Sequence, residues 1–210
     1  MGVLEQASTG AGNAEGVAVG IEYDAGGVMY LEADVRDRQD EIATAFADVR
    51  AESGRTLLEL VDAGPVLLVF LRHFGCSFCR QSIDDVSQVQ GALTDRAVRP
   101  VFVHLGTPER AKPYFDYYGL SGVERISNPD GSFYRSPVFE LGRVSLLQII
   151  FQPAVWKGWL QNAMFKYGIG MIREDASQMP GVFFLRERAI VRSFRHRTIA
   201  DRPDYLRLTA

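Results

Sequence analysis

The stretch PVLLVFLRHFGCSFCR, Pro65–Arg80, organises the chain around it. Val66 to Leu71 is an unbroken apolar run, as a strand buried on both faces should be. It stops at His73-Phe74-Gly75, and then come Cys76 and Cys79, the only two cysteines in 210 residues. Ser82-Ile83-Asp84-Asp85-Val86 follow at helical spacing. A strand that feeds C-x-x-C into a helix N-terminus suits thiol–disulfide chemistry, because free N–H groups and the helix dipole favour thiolate over thiol. Gly75 permits close approach of another chain segment or a substrate.

A strand, Val66–Leu71, and a helix from Cys79 to about Leu93 make the first βα unit. Pro100 to Leu105 reads as the second strong strand. Pro108 opens a helix carrying Ala111, Tyr114, Phe115 and Tyr118, with Gly119 as its stop. Ser127–Ser132 is a turn. Val155 to Tyr167 reads as a helix bearing Trp156, Trp159, Leu160 and Phe165. Val182–Leu185 and Ile190–Phe194 close the pattern as a hairpin. Upstream, residues 1–16 read as a flexible tail, Gly16–Tyr23 and Val28–Leu31 as a hairpin, and Asp34–Ala51 as a helix. The division expected is an N-terminal extension, 1–48, and one domain, 49–210.

Composition excludes several classes. A net charge of −3 gives no basic footprint for nucleic acid. No window approaches the ~20 apolar residues of a membrane span. The N-terminus lacks a basic segment followed by an apolar one, so a cytoplasmic protein is expected. Gly2 does not fit a myristoylation signal, because position 6 is Gln. In a reducing compartment a lone C-x-x-C reads as redox-active, not as a structural staple. Zinc needs four ligands, and His73, His104 and His196 supply no second pair, so no metal is expected.

The chemistry expected of the pair is exchange. Cys76, the N-terminal cysteine, is expected to attack as a thiolate, a mixed disulfide or sulfenate forms, and Cys79 resolves it. Arg72 and Arg80 are cations placed to lower a thiol pKa. His73 reads either as a proton donor or as a packed side chain. Met179-Pro180-Gly181 precedes the strand Val182–Leu185. A cis bond in a tight turn there would leave the neighbouring backbone free to pair with a substrate chain; the other reading is a plain proline at the start of a strand.

Three further segments join the C-x-x-C in one pattern: Asn128-Pro129-Asp130-Gly131-Ser132-Phe133-Tyr134-Arg135, Met179–Phe183, and Arg195–Asp204. From Val49 to Tyr205 the chain resembles the peroxiredoxin-like 2 group, which includes selenoprotein L and prostamide/prostaglandin F synthase. That group lies within the alkyl-hydroperoxide-reductase/thiol-specific-antioxidant superfamily. The resemblance implies an α/β, thioredoxin-like fold: a central mixed sheet flanked by helices, with a helical insertion before the cis-Pro turn. It implies a thiol–disulfide oxidoreductase, an antioxidant-type enzyme with no bound cofactor. Cys76 and Cys79 would be catalytic, supported by His73, Phe74, Gly75, Arg80, Met179 and Pro180. A redox-active Cys76–Cys79 disulfide would be returned to the dithiol by thioredoxin or a similar external dithiol. The substrate would be a small hydrophobic peroxide, an endoperoxide or a protein disulfide. The alternative is a redox-sensing or ligand-binding module of the same fold without substantial turnover.

The chain departs from true peroxiredoxins in two ways. Those carry threonine where Cys76 stands, which would give the attack to Cys79. They also carry arginine where Met179-Pro180 lies, and its replacement favours dithiol exchange over efficient peroxide reduction. No acid stands near Phe70, where thioredoxin has one, so proton handling falls to water, to His73 or to another group. The aromatic residues between Val155 and Tyr167 read as core, as a homodimer contact, or as an apolar wall beside Cys76.

Overall fold

The computed structural model describes residues 21–23, 29–31, 39–145, 151–158, 164–168 and 170–210. Seven strands, seven α-helices and one 3-10 helix (Phe133–Arg135) are defined among them. β1 (Ile21–Tyr23) and β2 (Met29–Leu31) pair antiparallel as the expected hairpin. The expected turn between them and the tail fall outside the described residues. α1 (Gln39–Ala47) and α2 (Leu57–Asp62) lead into β3 (Val66–Phe70). α3 (Ser77–Asp95), β4 (Arg99–His104), α4 (Pro108–Tyr117) and β5 (Glu124–Ser127) continue the chain order β-α-β-α-β. α5 (Pro153–Gly158) and α6 (Met164–Tyr167) precede the hairpin β6 (Gly181–Arg186) and β7 (Ala189–Arg195), and α7 (Tyr205–Leu208) ends the chain.

The main sheet has the order β5-β4-β3-β6-β7. β3 lies at its centre, parallel to β4 and antiparallel to β6, with Leu68 opposite both Val101 and Phe183. β4 and β5 are parallel. The apolar run of β3 follows from this position, because both faces of the strand are covered. Leu67, Val69 and Leu71 join the core under α3, α4 and α7, with Ile83, Val86, Phe115 and Leu208. Val66, Leu68 and Phe70 join the opposite core, with Ile42 and Phe46 of α1, Leu57 and Leu60 of α2, and Phe133 and Phe139. Strand alternation thus splits one run between two cores.

Local sequence accounts for the element ends. Thr56 and Glu59 form a reciprocal capping box at α2, with Glu59 N–H donating to Thr56 Oγ1 at 3.1 Å and Thr56 N–H to Glu59 Oε2 at 2.7 Å. Gly119 stops α4 in the left-handed region at φ 72°. β5 is a short edge strand of which only Ile126 is buried, so its sequence carries little apolar signal. Among the described residues, no helix is long and apolar enough to cross a membrane.

Candidate active site

The pair of cysteines lies where β3 ends and α3 begins, at the carboxyl end of the parallel strands. Cys76 occupies the N-cap of α3 in extended backbone, and Cys79 sits in the first turn. The Arg80 N–H donates to the Cys76 carbonyl at 3.2 Å, closing that turn. Both thiols are free and buried, Cys76 at 8% exposure and Cys79 at 3%.

Arg72 is the residue around which the site is assembled. It is 2% exposed, and it is the largest side chain among the fully buried ones. Its backbone N–H donates to Cys79 Sγ at 3.3 Å. Its Nε donates to the Gln178 carbonyl at 2.8 Å, and its Nη2 to the Ala176 carbonyl. Its Nη1 lies 4.0 Å from Cys76 Sγ, at the reach of a hydrogen bond to sulfur. The hydrogen-bond partners of this guanidinium are neutral carbonyls and the cysteine sulfur. A buried cation among neutral groups is costly, and a thiolate beside it offsets that cost.

The two thiols are therefore unequal. The Cys79 S–H, donating to the Cys76 sulfur, does most to lower the Cys76 pKa. Burial opposes this, while the Arg72 charge and the amides of Cys79 and Phe78, which point at the sulfur without closing a regular capping bond, lower it further. Cys79 is pushed well above the ordinary thiol value, by that same bond, by burial and by the negative charge on Cys76. The arrangement is a Cys76 thiolate held by a Cys79 thiol.

The remaining expected residues fall around this pair. His73 is buried, and its Nδ1 has no hydrogen-bond partner among the described residues. Burial, then the charges of Arg72, Arg110 and Arg80, push its pKa down to about 4, so its imidazole is neutral near pH 7. Phe74 stacks on Tyr114 with ring centroids 4.8 Å apart. Arg80 turns its guanidinium to backbone carbonyls, not to the sulfurs. It donates to the carbonyls of Phe74 at 2.7 Å and Tyr167 at 2.6 Å, and so ties the cysteine loop to the end of α6. Gly75 is needed for a close approach: a Cβ there would lie 2.8 Å from the carbonyl oxygens of both Gly170 and Met171. The Gly170 N–H donates to the Gly75 carbonyl at 3.0 Å.

The Met179-Pro180 expectation is corrected. The described residues contain no cis peptide bond, so this one is trans. The reason lies in the pairing just before it. The Met179 N–H donates to the Gly142 carbonyl at 3.0 Å, and Val144 N–H to the Ser177 carbonyl at 2.8 Å. Gln178 and Arg143 form an antiparallel bridge, and the Gln178 side chain donates to the Gly142 carbonyl at 3.0 Å. Residues 177–179 thus run extended beside 142–144, and no tight turn forms. The backbone ahead of Pro180 is not free to pair with an incoming chain.

Sequence reasoning missed Gln178 and Ala176, which act through backbone carbonyls and so leave no side-chain signal. It also missed Tyr134, whose hydroxyl donates to the Leu71 carbonyl and lies 3.0 Å from the Val103 carbonyl, fixing the ends of β3 and β4. Of the aromatic segment, Val155 and Tyr167 are buried and join the α3 core, while Trp156 is half exposed. Trp159, Leu160 and the Phe165 side chain lie outside the described residues. Among the described residues, no three His, Cys, Asp or Glu side chains converge as a metal cluster would require.

Neither a protein-family model nor a curated protein matches the chain. Solved structures do. Peroxiredoxin Q of Xanthomonas campestris matches with a TM-score of 0.53 at 14% identity, over 75% of this chain and 85% of that one. The bacterioferritin comigratory protein of the same organism, a protein with alkyl peroxide reduction activity, matches with a TM-score of 0.53 at 12% identity, over 75% of this chain and 86% of that one. At such identities the likeness shows architecture alone. With the sheet order and the β3–α3 junction described above, it establishes that this chain has the thioredoxin-like fold, with both cysteines at the head of the helix that follows the central strand.

Proposed function

We propose that this protein is a peroxide-reducing thiol oxidoreductase of the peroxiredoxin-like 2 kind, with Cys76 as the attacking sulfur and Cys79 as the resolving one. The observation that carries it is the buried Arg72 guanidinium beside Cys76. The arginine of true peroxiredoxins would come from the Met179-Pro180 region. Here a guanidinium reaches the sulfur from the β3–α3 loop instead, and the peroxide reading regains the group whose absence weakened it.

The Cys76 thiolate attacks one oxygen of the hydroperoxide, and the O–O bond breaks. The leaving alkoxide takes a proton and departs as alcohol, or as water from hydrogen peroxide. Arg72 donates to the oxygens as negative charge moves onto them. The Cys76 sulfenic acid then condenses with the Cys79 thiol, releasing water and forming the disulfide. The proton of the Cys79 thiol leaves with the sulfenic hydroxyl as that water. Two electrons from external thiols return the pair to the dithiol. No bound cofactor is needed.

Peroxide consumption with a thiol reductant tests this. Cys76→Ser should abolish oxidation of the protein by hydrogen peroxide. Cys79→Ser should leave one rapid oxidation of Cys76 and stop at the sulfenic acid, visible by dimedone trapping. Rapid single-turnover oxidation in Cys76→Ser would give the attack to Cys79 and refute the assignment.

A further inference from the structure

A polypeptide that exchanges disulfides with a buried cysteine needs an edge of backbone to lie against. Two such edges flank the cysteine pair, and the chain's own backbone fills both. On one side Gly170 and Met171 lie against Gly75, so close that no Cβ fits between them. This segment is fastened from several directions: by the Gly170 N–H on the Gly75 carbonyl, by Arg80 on the Tyr167 carbonyl, and by Arg110 Nη2 on the Met171 carbonyl at 3.0 Å. Arg110 also forms an ion pair with buried Glu174. On the other side residues 142–144 occupy the edge of 177–179 ahead of Pro180. Arg143 locks that edge, donating to Asp175 Oδ2 at 2.7 Å and to Ser177 Oγ at 2.7 Å.

The charges beside the sulfurs complement this enclosure. Arg72 and Arg80 each donate to backbone carbonyls; Asp175 feels the Arg72 charge, but among the described residues neither guanidinium forms an ion pair with a carboxylate. In the dithiol state the Cys76 thiolate offsets one of these charges. In the disulfide state that anion is gone, and the site attracts an incoming thiolate.

We infer that the site exchanges electrons only with small molecules: a small hydroperoxide as oxidant, and a low-molecular-weight thiol bearing a carboxylate, in place of a protein dithiol, as reductant. The inference rests on the peroxide-reducing reading above. The reducing step balances as follows. One small thiolate bonds to a sulfur of the Cys76–Cys79 disulfide, and the other sulfur leaves and takes a proton. A second small thiolate attacks the mixed disulfide and departs as the symmetrical small disulfide. The freed cysteine regains its thiolate, and the enzyme has gained two electrons.

The test is peroxide turnover by the full chain with three reductants at equal thiolate concentration: glutathione, cysteamine, and thioredoxin recycled by its reductase. Glutathione should support turnover at least tenfold faster than thioredoxin. It should also outpace cationic cysteamine at low salt, with the gap closing at high salt. Insulin disulfides should not be reduced above the uncatalysed rate. Arg143→Ala, which loosens the 175–177 edge outside the reacting groups, should raise the thioredoxin-dependent rate at least fivefold and leave the glutathione rate within twofold. Thioredoxin matching glutathione in the unmodified protein overturns the inference while leaving the peroxide chemistry intact. So does an Arg143→Ala variant that gains nothing. A protein whose Cys76 is not oxidised by peroxide at all overturns the underlying reading instead.

Discussion

Arg72 shows how one side chain can serve structure and chemistry together. It stitches the carbonyls of Ala176 and Gln178 to the cysteine loop, and it presents a cation to Cys76. Loss of activity in a variant would not separate the two roles, but a pH profile does. The Cys76 pKa is lowered to about 6, first by the Cys79 thiol and then by Arg72, so the thiolate is present above that pH and lost below it. In Arg72→Met the midpoint of iodoacetamide alkylation should move up toward the ordinary thiol value of about 8.5, and the rate at pH 7 should fall about tenfold. Arg72→Lys should keep part of the shift, because it keeps the charge but loses the fork. A midpoint unmoved in Arg72→Met would make the residue purely a structural tie.

α1 lies within the first 48 residues, yet its side chains belong to the core of the domain. Phe46 is fully buried and stacks on Phe139 with centroids 5.9 Å apart, and it meets Phe133 edge-on at 5.9 Å. Phe46→Ala should therefore cost about 3–5 kcal/mol of unfolding free energy, read from a urea titration. A cost below about 1 kcal/mol would mean that α1 is a removable addition. The same residue bears on what the sequence discloses. The strands β3, β4, β6 and β7 and the helices α3 and α4 are legible because their apolar runs and stops agree with their burial. α1 is legible as a helix from Ile42, Ala45 and Phe46, but its docking partner is not, because Phe133 and Phe139 lie far along the chain. β5 and α7 escape notice: ERIS has one buried residue, and Tyr205 and Leu208 sit in an otherwise polar end. The cysteine pair and Arg72 are readable as neighbours in sequence. The filled edges are not, since they depend largely on backbone groups of Gly142, Ser177, Met179 and Gly170, whose pairing no pattern of side chains announces.

At the scale of the whole molecule, two histidines, the buried His73 and the half-buried His196, report on the interior around Arg72 through stability. His73 and His196 are each held to about 4, by burial first, with the Arg72 charge adding to the shift in both. Their unfolded values lie near 6.5. Both are bases with a depressed folded pKa, so between pH 6.5 and 4 the unfolded chain binds protons that the folded chain refuses. Stability must therefore rise with pH across that window and fall as the solution is acidified through it. The size is about 2–3 kcal/mol per histidine by pH 4.5, which would lower a urea midpoint by roughly 1–2 M from its pH 7 value. The carboxylates held low by partners, such as Glu52 and Asp84, act in a different range: their stabilisation is lost only as pH falls below their ordinary values of 4.5 and 3.8. The histidine window is thus separable. His196→Gln should flatten the fall between pH 6.5 and 4.5 by about half, with His73→Gln removing most of the remainder. A midpoint that stays level across that window in the unmodified protein would mean that both rings take up protons in the folded state as readily as in the unfolded one.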